Sequence, residues 1–137
     1  MKPTEIIVHC AATPEGRDVT AKDIDRMHKQ RGFKGIGYHY FIKLDGTVEK
    51  GREETAVGAH CIGHNAKAIG ICYAGGVAKD AKTPKDTRTP EQKKAMIDLI
   101  HQLMKKWNIP ASKVYGHYQF ANKACPSFKI ETLRAEL

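Results

Sequence analysis

The sequence predicts an α/β fold: a central mixed β-sheet flanked by helices. Three observations predict it. A short, nearly continuous apolar run, Glu5–Cys10 (EIIVHC), reads as a buried strand close to the N-terminus. Two segments carry complete helix-start signals, one at Thr20 and one at Thr89. Further strand-like runs fall between and after them, so the order is strand, helix, two or three strands, helix, strand, helix.

Each element has its own local reason. After the first strand, Ala11–Asp18 is a loop marked by Pro14 and Gly16. Thr20 and Asp23 form a capping box, which predicts a helix from Ala21 to about Arg31. Ile24, Met27 and His28 mark its inner face. Gly32–Gly37 is a glycine-rich loop. Tyr38–Leu44 (YHYFIKL) alternates and predicts a strand, and alternation turns His39 away from Tyr38. Asp45-Gly46 is a hairpin signal, with Thr47–Lys50 as the returning strand.

Ile69–Ala74 (IGICYA) predicts another strand, closed by Gly75-Gly76, and the Lys-rich Val77–Arg88 reads as a surface loop. Thr89-Pro90-Glu91-Gln92 is the strongest helix start in the chain: a cap, a proline where its missing N–H costs nothing, and a Gln that closes the box. Met96, Leu99, Ile100, Leu103, Met104 and Trp107 follow at helical spacing as a core stripe. Asn108-Ile109-Pro110 ends this helix. Val114–His117 is a short strand, and Pro126–Leu137 begins with a proline-led turn and finishes as a helix.

The 137 residues fit one domain spanning positions 1–137, and 41% apolar with 28% charged residues is globular rather than disordered composition. A formal net charge of +8 favours polyanionic surfaces without selecting one. No apolar run reaches the roughly 20 residues that cross a bilayer, so membrane insertion is not expected. The polar start Met1–Glu5 has none of the features of a secretory leader. Synthesis in the cytoplasm is the expectation, with action outside it requiring lysis or dedicated export. Cys10, Cys61, Cys72 and Cys125 form no CxxC pair and are expected as reduced thiols, Cys10 and Cys72 as buried small side chains.

Three residues stand where a metal can be held. His9 ends the first strand, His117 ends the last, and Cys125 follows in a loop stiffened by Pro126. Two imidazoles and a thiolate suit zinc, and three protein ligands leave the fourth position open for water. A gap of 108 residues separates the histidines and no short zinc motif fits, so spacing alone favours buried, hydrogen-bonded histidines and an inert core cysteine.

Five segments occurring together and in order carry more weight. They are IIVHCAAT (Ile6–Thr13), GYHYFIKLDGTVEKGR (Gly37–Arg52), AVGAH (Ala56–His60), AIGICYAGG (Ala68–Gly76) and GHYQFANKACPSF (Gly116–Phe128). In them the chain resembles the zinc-dependent N-acetylmuramoyl-L-alanine amidases. That family also contains the animal peptidoglycan recognition proteins and the compact phage lysozyme-type amidases.

The resemblance implies a peptidoglycan-recognition-protein-like amidase fold and one catalytic zinc ion. The implied reaction is hydrolysis of the amide between N-acetylmuramic acid and L-alanine in bacterial peptidoglycan. It implies His9, His117 and Cys125 as the metal ligands, Tyr38 and Lys123 as catalytic residues, and His60 as a substrate contact. His28, His64 and His101 read as helix-face or loop residues. Relatives that only bind peptidoglycan usually lack the cysteine ligand, so Cys125 favours an enzyme over a binding module. A third reading is a regulator that binds a polymerase or nucleic acid through the basic surface. The expected partner is peptidoglycan, with the protein acting as a monomer and nucleic acid not expected. A phage lysis enzyme and an exported toxin with an immunity protein both fit this reading.

Overall fold

The computed structural model describes all residues, Met1–Leu137. Its elements are β1 (Glu5–Cys10), β2 (Thr13–Pro14), α1 (Ala21–Gln30), β3 (Tyr40–Ile42), β4 (Val48–Lys50), β5 (Ala68–Tyr73), β6 (Gly76–Val77), α2 (Pro90–Trp107), β7 (Val114–Gly116) and α3 (Ile130–Arg134). The main sheet has five strands in the order β4-β3-β5-β1-β7. Only the β3–β4 hairpin is antiparallel, so the sheet is mixed, as expected.

β1 and β5 lie at the centre and are buried along their whole length. Covered on both faces, such strands need apolar residues at successive positions, which is why they read as continuous runs. One face carries Ile6, Val8 and Cys10 with Ile69, Ile71 and Tyr73, packed under Met96, Leu99, Ile100 and Leu103 of α2 and Ile130 and Leu133 of α3. The opposite face carries Ile7 and Ala68 against Cys61, and Phe41, Cys72 and Ala74 against Ile24 of α1. His9 belongs to this second face by alternation from Ile7.

Both capping boxes form. Asp23 N–H donates to Thr20 Oγ1 at 3.2 Å, and Gln92 N–H donates to Thr89 Oγ1 at 3.0 Å. Gln92 Nε2 also donates to the Ala74 carbonyl at 3.0 Å, which ties the start of α2 to the end of β5. Asn108 closes α2 in the left-handed conformation at φ 55°.

Several expectations are corrected. Met27 is 44% exposed, so the inner face of α1 is Ile24 and His28. The regular strand begins at Tyr40 rather than Tyr38, although Arg52 N–H still donates to the Tyr38 carbonyl at 3.0 Å. The loops after β1 and β5 are not wholly irregular: Thr13–Pro14 pairs with Gly76–Val77. Thr87 is buried because its hydroxyl accepts from Gly76 N–H at 2.8 Å. The final helix covers only Ile130–Arg134.

Candidate metal centre and active site

The topology explains why two histidines 108 positions apart can meet. β1 and β7 are parallel neighbours with Val8 opposite Gly116. The next residue in each segment is a histidine, His9 still within β1 and His117 opening a short 3-10 turn just past the end of β7 rather than ending the strand as expected, so the two leave the same end of the sheet side by side. Their Nδ1 atoms face each other at 3.1 Å, and their rings are 4.5 Å apart. Both are buried, His9 to 1% exposure.

Cys125 comes to them from the loop after β7. Tyr118 N–H donates to the Cys125 carbonyl at 2.8 Å, Tyr73 Oη donates to the Pro126 carbonyl at 2.6 Å, and Ser127 Oγ donates to the Gly76 carbonyl at 2.7 Å. These bonds lash the segment to the ends of β5 and β6. Its sulfur is thereby held over β1, where Cys10 N–H donates to Sγ at 3.1 Å. One nitrogen from each histidine and the Cys125 sulfur lie within 4.8 Å of one another.

The donor set fits a zinc ion. Two imidazoles and one thiol are the N/S combination zinc takes, with three protein ligands leaving a position open. No carboxylate is part of the cluster. Burial, then the neighbouring charges of His60, His117 and Lys123, lowers the His9 pKa, and burial followed by Lys123 lowers that of His117. Both rings are therefore neutral at neutral pH, the form that ligates a metal. Hydrogen bonding with Cys10 and burial push the Cys125 thiol upward. A coordinated cation reverses that direction, because metal coordination deprotonates a thiol outright.

Tyr38 and Lys123 border this cluster. The Tyr38 ring lies 5.0 Å from the His9 ring. Burial, together with the thiols of Cys72, Cys125 and Cys10, raises its pKa, so the phenol keeps its proton. Lys123 is exposed on the loop two residues before Cys125, and its charge is felt at both His9 and His117. A shallow groove of about 410 Å³ opens beside it, lined by Pro84, Tyr118, Ser127, Phe128 and Lys129 among others.

His60, expected as a substrate contact, also reaches the cluster. Its Nδ1 faces His9 Nε2 at 2.9 Å and its Nε2 faces the Ala68 carbonyl at 3.1 Å. Both ring nitrogens are therefore engaged within the protein. Burial holds its pKa down to about 3. His39 is fully buried between Gly70 N–H and the Ala56 carbonyl, its ring edge-on to that of His60 at 5.7 Å.

The residue reading placed His28 on the inner face of α1 but gave it no part in the site. Its Nδ1 accepts from Gly37 N–H at 2.9 Å, and its ring lies 5.4 Å from that of Tyr38, so it buttresses the tyrosine. The available signal was its spacing of four from Ile24 on one helix face. All four cysteines are free, and Cys61 is buried like Cys10 and Cys72.

The comparisons with known proteins agree with this geometry. A sequence profile described as N-acetylmuramoyl-L-alanine amidase matches residues 1–128. The chain is 40% identical over 129 residues to the endolysin of Enterobacteria phage K11, covering 93% of this chain and 83% of that protein. It is 40% identical over 126 residues to the endolysin of Escherichia phage T7, covering 92% and 82% respectively. Among solved structures, the amidase LysC from Clostridium intestinale superposes with a TM-score of 0.85 at 36% identity, covering 99% of this chain and 85% of that one. Drosophila PGRP-LB superposes with a TM-score of 0.77 at 29% identity, covering 92% and 76%. The fold, the site and the matched length together establish that this chain belongs to the N-acetylmuramoyl-L-alanine amidase family.

Proposed function

We propose that the chain is a zinc-dependent N-acetylmuramoyl-L-alanine amidase. It cuts the amide between the lactyl group of N-acetylmuramic acid and L-alanine of the stem peptide. The observation that carries this reading is the convergence of His9, His117 and Cys125 from separate segments, with ligand atoms within 4.8 Å.

His9 Nδ1, His117 Nδ1 and Cys125 Sγ would hold the ion. When bound, zinc lowers the pKa of a water ligand to about 7 and polarises a carbonyl. The chain's own groups supply the rest. Attack on the amide carbon places negative charge on the former carbonyl oxygen, and Lys123 brings a cation to stabilise it. An un-ionised phenol both accepts and donates. Tyr38 can therefore orient the attacking water and pass a proton towards the departing amine.

The relatives named endolysin belong to phages, which supports reading the chain as a phage or prophage lysis enzyme that acts on the cell wall. The net charge of +8 supports attraction to acidic wall polymers. No helix is long and apolar enough to cross a membrane.

The test is mass spectrometry of purified peptidoglycan after digestion, with zinc quantified in the same protein. The expected products are free stem peptides with an L-alanine N-terminus and intact glycan strands. Products cut at another bond would refute the amidase reading. Undiminished release after complete chelation would refute the zinc mechanism.

A further inference from the structure

His60 is set into the protein with unusual care for a groove residue. Asn65 Oδ1 accepts from both His60 N–H at 2.8 Å and Cys61 N–H at 2.9 Å, which fixes the backbone that carries the ring. The ring itself lies on Gly70 of β5: a Cβ there would come within 2.7 Å of it. The same is true of Gly58, whose Cβ would reach the ring at 2.5 Å. Two glycines therefore leave room for one imidazole, which meets His9 edge to face with ring planes at 87°.

The proton positions follow from what its partners can do. A carbonyl oxygen only accepts, so His60 Nε2, 3.1 Å from the Ala68 carbonyl, must carry a proton. In a neutral imidazole the other nitrogen is then bare, so Nδ1 accepts. The group 2.9 Å away, His9 Nε2, must therefore donate. With its proton on Nε2, His9 has a bare Nδ1, and Nδ1 is the atom turned to His117 and the metal cluster. The opposite set of tautomers would aim the His60 Nε2 lone pair at a carbonyl and place a proton on the ligating atom of His9.

We propose that His60 is a positioning residue of the metal centre, which relays the Ala68 backbone carbonyl to His9 and holds His9 in its metal-binding tautomer and orientation. This inference rests on the zinc-ligand reading above and assigns His60 a role through His9 rather than through substrate. Such outer partners of a ligating histidine typically change metal affinity by about 10–100-fold when removed.

Zinc dissociation constants from chelator competition test it in the wild type, His60→Leu and His60→Asn. An asparagine can place its side-chain oxygen near the site of Nδ1 and accept from His9 Nε2–H; leucine cannot. The expected result is an affinity loss of about 10–100-fold for His60→Leu, with most of it restored in His60→Asn. Long-range ¹H–¹⁵N correlation spectra of the metal-free wild type provide a readout that needs no variant. They should show His9 and His60 both protonated on Nε2. Wild-type affinity in folded His60→Leu, an asparagine variant no better than the leucine one, or a proton on His9 Nδ1 would each overturn the proposal. A wild type that binds zinc tightly yet cuts no cell wall would overturn the amidase reading and leave this one standing.

Discussion

The two ends of β1 put polar side chains on the same face of one buried strand, and the protein treats them in opposite ways. At the start, Glu5 accepts from His64 at 2.8 Å, with Lys67 at 3.9 Å, and the His64 ring stacks on Phe120 at 3.8 Å. A carboxylate has found its donors, and the site is closed. Four residues on, roughly 13 Å along the strand, His9 meets two imidazoles and a thiol. Donor atoms converge there with no acidic partner among them. A polar group saturated by its neighbours is scaffold. A set of nitrogen and sulfur donors turned to one point is a group that fits a cation.

This contrast can be broken or sharpened experimentally, and the largest effect belongs to the open end. Cys125→Ala or His9→Ala should reduce release of stem peptides to the uncatalysed background. Each should also abolish zinc-linked stabilisation. At zinc near 100 times the dissociation constant, that linkage is worth about 2.7 kcal/mol, and thermal unfolding with and without chelator reads it directly. A variant that kept both the activity and the zinc-dependent shift would remove the distinction between the two ends.

Tyr38→Phe comes next. It removes one hydroxyl and leaves the ring beside His9, so kcat should fall by about 10²–10⁴-fold at unchanged zinc stoichiometry. Lys123→Ala should lower kcat by about 10²–10³-fold, the usual cost of losing one oxyanion partner. Because Lys123 is exposed, stability should stay within about 0.5 kcal/mol. Paired kinetics and unfolding curves test both.

Glu5→Gln addresses the closed end. It weakens a charge-assisted bond to His64 and should cost about 1–3 kcal/mol in denaturant unfolding. Zinc affinity should not change. An affinity change there would mean the two ends are coupled through β1. The smallest effect is expected at the exposed Met27, where Met27→Gln should shift stability by no more than about 0.5 kcal/mol and leave activity intact.

Legibility followed the range of the interaction involved. Glu5–Cys10 matched its predicted strand because a centrally buried strand needs apolar residues at nearly every position. Pro90–Trp107 matched because its capping box and its stripe are both local. Met27 misled because Ile24 and His28 already fill the short inner face of α1, which leaves the position beside them in solvent. Family resemblance pointed to His60, but its partners were hidden, since one of them is a backbone carbonyl that no residue type announces.

The sequence by itself determined the strands, the two capped helices and an inventory of metal-binding side chains. Those depend on burial pattern and on bonds three or four residues long. Only the tertiary structure decided that His9 and His117 are neighbours, through the parallel pairing of β1 with β7. It also decided that Cys125 hangs over the same strand end, through bonds from Tyr73 and Ser127. The orientation of His9 was likewise a tertiary matter, passed through His60 from the backbone of β5. A ligand set needs atoms within a few ångströms, and for residues 108 positions apart only the packed sheet supplies that distance.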